Sequence, residues 1–303
     1  MTPPRLLVLG ANGQVGRAIL ARAALGRIPA FGLARRELDI LDRRAVGEML
    51  AQIDAPVVVN AAAYTDVDRA EKEAATAFRV NRDGAGWIAD SCTQQNRTLI
   101  HLSSDYVFDG AKGAPYEADD PIAPLNAYGA SKAAGEMLVR AAGERHIVLR
   151  TAWVHAPWGR NFVRSVIGRV HAGQKLRVVC DQRGSPTAAD EVARAILALA
   201  GRLPGPALGG IYHWAGGGVA TWFDVAGVVV ETLRAAGGPA ASLERIGTAE
   251  SPTAARRPSY SVLDCGRLAA LLDTVPADWR AGVADSVHGA LEQRHARDGV
   301  FAS

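Results

Sequence analysis

Tyr128 and Lys132 stand four residues apart in Tyr128-Gly129-Ala130-Ser131-Lys132, and the stretch 133–138 that follows has the composition of a helix. On a helix that spacing puts a phenol and an ammonium on one face. A cation fixed beside a phenol favours phenolate, so Lys132 is expected to lower the Tyr128 pKa from its free value of about 10. Such a pair can act as general acid or base between a carbonyl and an alcohol. A surface Tyr and Lys sharing a helix by chance fit the same spacing, so the weight falls on what accompanies them.

A nucleotide-binding signature does accompany them. The apolar run Arg5-Leu6-Leu7-Val8-Leu9 leads into Gly10-Ala11-Asn12-Gly13-Gln14-Val15-Gly16, and an Ala/Leu-rich helix follows. Strand, glycine turn and helix in that order form a dinucleotide-binding unit. Gly10 allows the tight turn, Gly13 the approach of a pyrophosphate, and Gly16 close packing of helix on strand. The helix N-terminus offers free N–H groups to phosphate. After a second strand at 30–34 the chain reads Arg35-Arg36-Glu37. Two guanidiniums suit a ribose 2′-phosphate, which selects NADPH and leaves NADH possible; a solvated basic turn is the other reading. Asp39 and Ile40 would border the adenine. The third strand, Val57-Val58-Val59-Asn60, ends in Ala61-Ala62-Ala63, where small side chains let backbone pass close to a cofactor or simply pack.

Those elements imply the architecture. Two further strands at 98–103 and 146–151 alternate with helices at 43–52, about 67–95 and 128–142. Alternation of this kind predicts an α/β, Rossmann-type doubly wound parallel sheet. The later chain is broken by Pro186, Gly209-Gly210, Gly216-Gly217-Gly218 and Gly237-Gly238-Pro239. It reads as a smaller C-terminal substrate-binding lobe: residues 1–155 hold the dinucleotide and 156–303 form mainly the lobe, with about 180–215 returning to the sheet. At 303 residues, 49% hydrophobic and 21% charged, the composition is that of a globular protein. A net charge of +3 gives no reason to expect nucleic acid or a membrane surface. The first apolar run reads as a strand and not a signal peptide, and no run reaches membrane-spanning length. Cys92, Cys180 and Cys265 are scattered, which predicts reduced core thiols in a cytoplasmic protein.

With Tyr128 and Lys132 placed, the chain resembles the extended short-chain dehydrogenase/reductase superfamily and, within it, the dTDP-4-dehydrorhamnose reductase family. The resemblance runs nearly end to end. It is carried by 10–16, 59–71, Ser103-Ser104-Asp105-Tyr106-Val107-Phe108-Asp109-Gly110, 128–136, 150–154, Asn161-Phe162-Val163, Asp181-Gln182-Arg183-Gly184-Ser185-Pro186-Thr187 and Arg257-Pro258-Ser259-Tyr260-Ser261-Val262-Leu263-Asp264. It implies reduction of the C4 ketone of dTDP-4-dehydro-L-rhamnose by NADPH, giving dTDP-L-rhamnose for cell-surface polysaccharide.

The resemblance also implies roles. Tyr128 would protonate the new alkoxide, Lys132 would hold the nicotinamide ribose, and Ser104 would hydrogen-bond the ketone oxygen. Ser103 is a rival, because strand neighbours point to opposite faces. Asp105 and Trp153 look like sugar-side residues, with core packing an equal reading for Trp153. Arg257 suits either the substrate diphosphate or a salt bridge. Asn161 and Asp181-Gln182 would lie at the nucleotide or lobe interface, and His101 reads as a packed strand histidine. Some family members dimerise through magnesium held by carboxylates. Here Ala18 occupies one such position, and Asp190 alone matches another. No structural Mg2+ is expected, and the chain is expected to be a monomer or weak homodimer. Two other functions fit the sequence. An epimerase or dehydratase would share the Tyr–Lys pair, though a dehydratase needs a Glu that Asp105 lacks beside it. A non-catalytic NADP-binding regulatory subunit would share the fold.

Overall fold

The computed structural model describes residues 5–203 and 208–300. Its centre is a set of parallel strands: β1 (Leu6–Leu9), β2 (Ala30–Leu33), β3 (Val57–Asn60), β4 (Thr98–Ser104) and β5 (Ile147–Thr151). β1, β3 and β5 are buried along their whole length, as strands covered on both faces must be. The period of two sorts their side chains. Leu6 and Val8 join one core, Leu7 and Leu9 the other.

Helices α1 (Gln14–Leu25) and α2 (Arg43–Gln52) lie on opposite faces of the sheet. The span 67–95, expected as one long helix, is broken into α3 (Val67–Ala70), α4 (Ala74–Phe78), a π-helical turn (Arg79–Gly84) and α5 (Ala85–Gln94). Tertiary bonding accounts for the break. The Asn81 side chain accepts from the Tyr64 N–H at 2.8 Å, donates to the Tyr64 carbonyl at 3.0 Å, and reaches Ser131 at 2.9 Å. An inserted π turn puts that side chain where the loop after β3 and the next helix can both use it. That helix, α6 (Ala127–Ala142), starts at Asn126, whose side chain caps the Gly129 N–H at 2.8 Å.

Beyond β5 come β6 (Val154–His155), α7 (Phe162–His171), β7 (Leu176–Val179), β8 (Arg183–Gly184) and β9 (Thr187–Ala188). They are followed by α8 (Ala189–Gly201), β10 (Gly210–His213), β11 (Ala220–Thr221), α9 (Trp222–Ala235), β12 (Leu243–Ile246), α10 (Gly266–Leu272) and α11 (Trp279–Val300). β10 completes the main sheet in the order β10-β5-β4-β3-β1-β2. Helix α8 buries its apolar side in the same core as α1, and Leu268 and Leu272 of α10 join them there. The chain therefore returns to the sheet with α8, after the β8 and β9 segments, and visits it again with α10. The remaining elements build a further core, apart from the two on the sheet faces, from Val163, Val166, Val170, Val225, Val229, Leu233, Val283 and Val287.

Strand order reverses between β1 and β3, so the crevice for a ligand lies beyond their carboxyl ends. Helix α6 is locked to the sheet beside it. Arg150 of β5 makes a two-pronged ion pair with Glu136 of α6, at 3.0 and 2.7 Å, both side chains almost wholly buried. Further bonds from Arg150 to the Ala118 carbonyl at 3.1 Å and to His213 at 3.3 Å bring four of its five N–H donors into use, as a buried guanidinium requires. Among the described residues no helix is long and apolar enough to cross a membrane.

Candidate active site

Two adjoining cavities, of 510 and 660 Å3, open at the carboxyl ends of β1 and β3 and share Asn12, Gly13, Ala61 and Ala63. The first is lined by Gly10, Arg35, Asp39, Ile40 and Ala62. The second is lined by Gln14, Val15, Ser103, Ser104, Asp105, Tyr128, Lys132, Trp153 and Arg257. Gly10 takes φ +82°, and a Cβ there would sit 2.6 Å from the Ala62 nitrogen, so only glycine lets the turn lie against the end of β3. Helix α1 has Gly13 at its N-cap, no side chain capping it and no acid in its first turn. Its free N–H groups and positive dipole end are left for an anion. The residues present fit a dinucleotide.

Some expected cofactor residues lie off the groove. Gly16 is buried beneath the turn, where a Cβ would strike the Gly10 carbonyl; its role is packing. Arg36 points away and is bound by its neighbour Glu37, while Arg35 lines the groove with a long 3.8 Å contact to Asp39. The Gln14 side chain is engaged by the lobe: Asn161 donates to its Oε1 at 2.7 Å. Asp190 is held by Arg22, Nε to Oδ1 at 2.8 Å. Cys92 is buried, whereas Cys180 and Cys265 are only half-buried, and all three are free thiols.

At the floor of the larger cavity the phenol of Tyr128 lies edge-on to Tyr106, with ring centroids 5.7 Å apart. The anticipated acidification by Lys132 is not found. Burial pushes the phenol pKa well above its ordinary value; Ser104 opposes this by hydrogen bonding, and the Asp105 charge and Tyr106 add to the rise. Lys132 does not act on it because its Nζ is turned to the Leu102 carbonyl at 2.6 Å. Burial brings that ammonium down to about 8, with Glu136 working the other way. The result is a phenol that stays protonated at neutral pH. Ser104 and Ser103 are both buried and both line the cavity. Ser104 bonds Asp105 at 3.1 Å and accepts from the Tyr106 N–H at 3.1 Å, whereas the Ser103 hydroxyl has no partner. Ser104 is thus the one of the two that acts on the phenol.

Asp105 is 1% exposed, and its Oδ2 has no hydrogen-bond partner. Burial pushes its carboxyl up to about 6, against the pull of Ser261 and Ser104. Thr151 at the end of β5 adds another orphaned hydroxyl to the same wall. Buried polar atoms without partners are uncommon in folded chains, and three on one cavity suit a hydroxyl-rich ligand. His101, by contrast, is buried in β4 and hydrogen-bonded to Asn60 at 3.1 Å.

Trp153 sits in the left-handed region at φ +46°, a costly conformation for a bulky residue and one that clusters at functional sites. It does not offer a free flat face. One face stacks on Trp222, centroids 3.5 Å apart and planes at 2°, so both indoles together wall the cavity with Phe162 tilted against Trp222. Gln182 fixes the wall by accepting from the Trp222 Nε1–H at 3.1 Å. Asp181 bonds Thr248 instead, away from the cleft. Arg257 lines the cavity but pairs with Asp68 at 2.6 Å and donates to the Tyr106 hydroxyl at 3.0 Å. Trp222, Phe162, Tyr106 and Arg160 all line the site and were not singled out from sequence. Nothing in their spacing distinguishes them from core or surface positions.

Comparison with known proteins agrees with this geometry. The profile of the RmlD substrate binding domain matches residues 4–291. A dTDP-4-dehydrorhamnose reductase of Sinorhizobium fredii is 39% identical over 267 residues, 87% of this chain and 90% of the relative. A probable dTDP-4,6-dihydroxy-2-methyloxan-3-one 4-ketoreductase of Streptomyces antibioticus is 38% identical, covering 96% of this chain and 97% of its own. The crystal structure of dTDP-4-dehydrorhamnose reductase from Bacillus anthracis, in complex with NADP, superposes with a TM-score of 0.86 at 30% identity, covering 93% of this chain and 98% of that one. By profile, by relatives and by fold, the chain belongs to the RmlD substrate binding domain family, that of the dTDP-4-dehydrorhamnose reductases.

Proposed function

We propose that the chain reduces the C4 ketone of dTDP-4-dehydro-L-rhamnose to the alcohol of dTDP-L-rhamnose, using NADPH. What supports the reading most is the protonated Tyr128 phenol next to Ser104, on a cavity continuous with the groove of the glycine turn. When bound, the dihydronicotinamide supplies a hydride to the carbonyl carbon. The residues of the chain orient the ketone and supply the proton. The Ser104 hydroxyl, which donates to Asp105, turns its one proton to the carbonyl oxygen as negative charge grows there. Tyr128 gives its phenolic proton to that oxygen, and its raised pKa keeps the proton available until the charge develops. Lys132, at the foot of the cavity, holds the cofactor ribose through donors not used on Leu102. Asp105 accepts from a sugar hydroxyl, and the indole wall of Trp153 and Trp222 packs against the apolar side of a deoxyhexose.

The test is a coupled absorbance assay at 340 nm with purified protein, NADPH, and a panel of 4-keto-6-deoxyhexose nucleotides. Oxidation of NADPH with the dTDP-4-dehydrorhamnose substrate, above every other sugar in the panel, is expected. Binding of NADPH without turnover of any member would sink the reading.

NADPH preference rests on Arg35. Arg35→Ala is expected to raise the KM for NADPH about tenfold, the scale of one charged hydrogen bond, and to leave that for NADH within about twofold. Arg36→Ala is expected to change neither, since its guanidinium is bound to Glu37 off the groove. Equal weakening of both cofactors by Arg35→Ala would remove the 2′-phosphate from its role.

A further inference from the structure

We propose that Arg160 grips a diphosphate: its guanidinium leaves Asp66 to hold a non-bridging oxygen of a diphosphate ester lying across the cleft from the N-terminus of α1. The proposal rests on the reading of this cleft as the site of a dinucleotide and a sugar nucleotide, both of which carry that group.

Three observations carry it. The first is that the loop between β6 and α7 is pinned to the cofactor turn on both sides of Arg160. Before it, the Trp158 Nε1–H donates to the Gln14 carbonyl at 3.3 Å, with the Arg17 guanidinium 4.7 Å over the Trp158 ring. After it, Asn161 donates to Gln14 Oε1 at 2.7 Å while its own Oδ1 caps α7 through the Arg164 N–H at 3.0 Å. Gly159, at φ +73°, lies so close that a Cβ would stand 3.1 Å from Gln14 Cγ. The effect is to hold residue 160 on the wall of the cleft.

The second observation is how loosely Arg160 is engaged there. Its side chain is 96% exposed, and its ion pair with Asp66 Oδ2 is long, 4.0 Å. Asp66 has another use, since its Oδ1 accepts from the Arg69 N–H as the cap of α3. An exposed pair at that distance is worth little, so exchange of Asp66 for a doubly charged ligand costs little.

The third is that the other cations on the cavity wall are each held by protein atoms at hydrogen-bond distance. Lys132 donates to the Leu102 carbonyl, and Arg257 is shared between Asp68 and Tyr106. Lining the same cavity as Arg160 is the uncapped start of α1, with no acid in its first turn. An anion between the two would meet helix N–H groups on one side and a guanidinium fork on the other.

The experiment titrates the full-length protein with NADPH and, separately, with dTDP, by calorimetry and without turnover. A failed reductase assay would therefore leave its result intact. Arg160→Gln is expected to weaken at least one of the two ligands about tenfold, as loss of one charge-assisted hydrogen bond does. Weakening of NADPH alone assigns the grip to the cofactor pyrophosphate. Weakening of dTDP alone assigns it to the substrate diphosphate, and weakening of both at an unchanged melting temperature makes it shared. Asp66→Asn, which keeps a capping oxygen but frees the guanidinium, is expected to tighten the same ligand. Arg160→Gln affinities both within twofold of wild type would overturn the proposal. So would joint weakening with a lowered melting temperature, which would place the effect in the fold of the loop.

Discussion

Replacing Tyr128 with phenylalanine is expected to lower kcat by about 10²–10⁴-fold, the contribution of a positioned general acid, with NADPH affinity held within about twofold. The ring remains, and so does its edge-on contact with Tyr106; only the donor is lost. The pH profile adds a second readout. Because burial holds the phenol protonated well beyond its ordinary range, the alkaline limb of kcat/KM in the wild type should come from Lys132, at about 8. The ammonium is charged below that pH and lost above it. The residual rate of Tyr128→Phe should therefore keep the same alkaline limb. Single-turnover rates and fluorescence titration of NADPH separate the two effects. Wild-type turnover in the variant would end the assignment, and a limb that disappears with the hydroxyl would transfer the titration to Tyr128.

Much of the framework behind that prediction is written locally. Leu6–Leu9 and Val57–Asn60 read as strands because a parallel strand buried on both faces is an unbroken apolar run. The glycine turn is legible because the constraint at Gly10 is a backbone one. Tyr128 and Lys132 are legible because one helix fixes their spacing. What escapes is whatever depends on a partner far along the chain. The break at Asn81 is caused by Tyr64 and Ser131, 17 and 50 residues away. Stacking of Trp153 on Trp222, and the bond from Asn161 to Gln14 147 residues away, leave no periodic trace. The same limit explains the error over the phenol. Sequence places the ammonium on the right helix face but not the Leu102 carbonyl that draws it off. Burial, a property of the whole fold, then decides the sign of the shift.

Asp105 gives the other large expected effect, and it runs in opposite directions for stability and for function. Its carboxyl is buried, lacks a partner at Oδ2, and titrates at about 6, above its ordinary value of 3.8. A raised acid means that the folded chain binds this proton more tightly than the unfolded one. Between pH 4 and 6 the unfolded state then carries fewer protons, and stability falls as pH rises. The penalty is absent below the unfolded pKa and complete above the folded one. A shift of about two units corresponds to about 3 kcal/mol at neutral pH as an upper figure. Asp105→Asn removes the charge while keeping the shape and an acceptor for Ser104, so urea unfolding at pH 7.5 should show a variant about 1–3 kcal/mol more stable. At pH 4 the difference should nearly vanish. Activity should move the other way, with kcat/KM for the keto-sugar falling about ten- to a hundredfold as a charged hydrogen bond to the sugar is lost. A burden on the fold that persists beside Ser104 and Tyr128 makes sense if the ligand supplies the missing partner. A variant that is less stable at pH 7.5 and still fully active would show the opposite, that the carboxylate serves the fold and not the substrate.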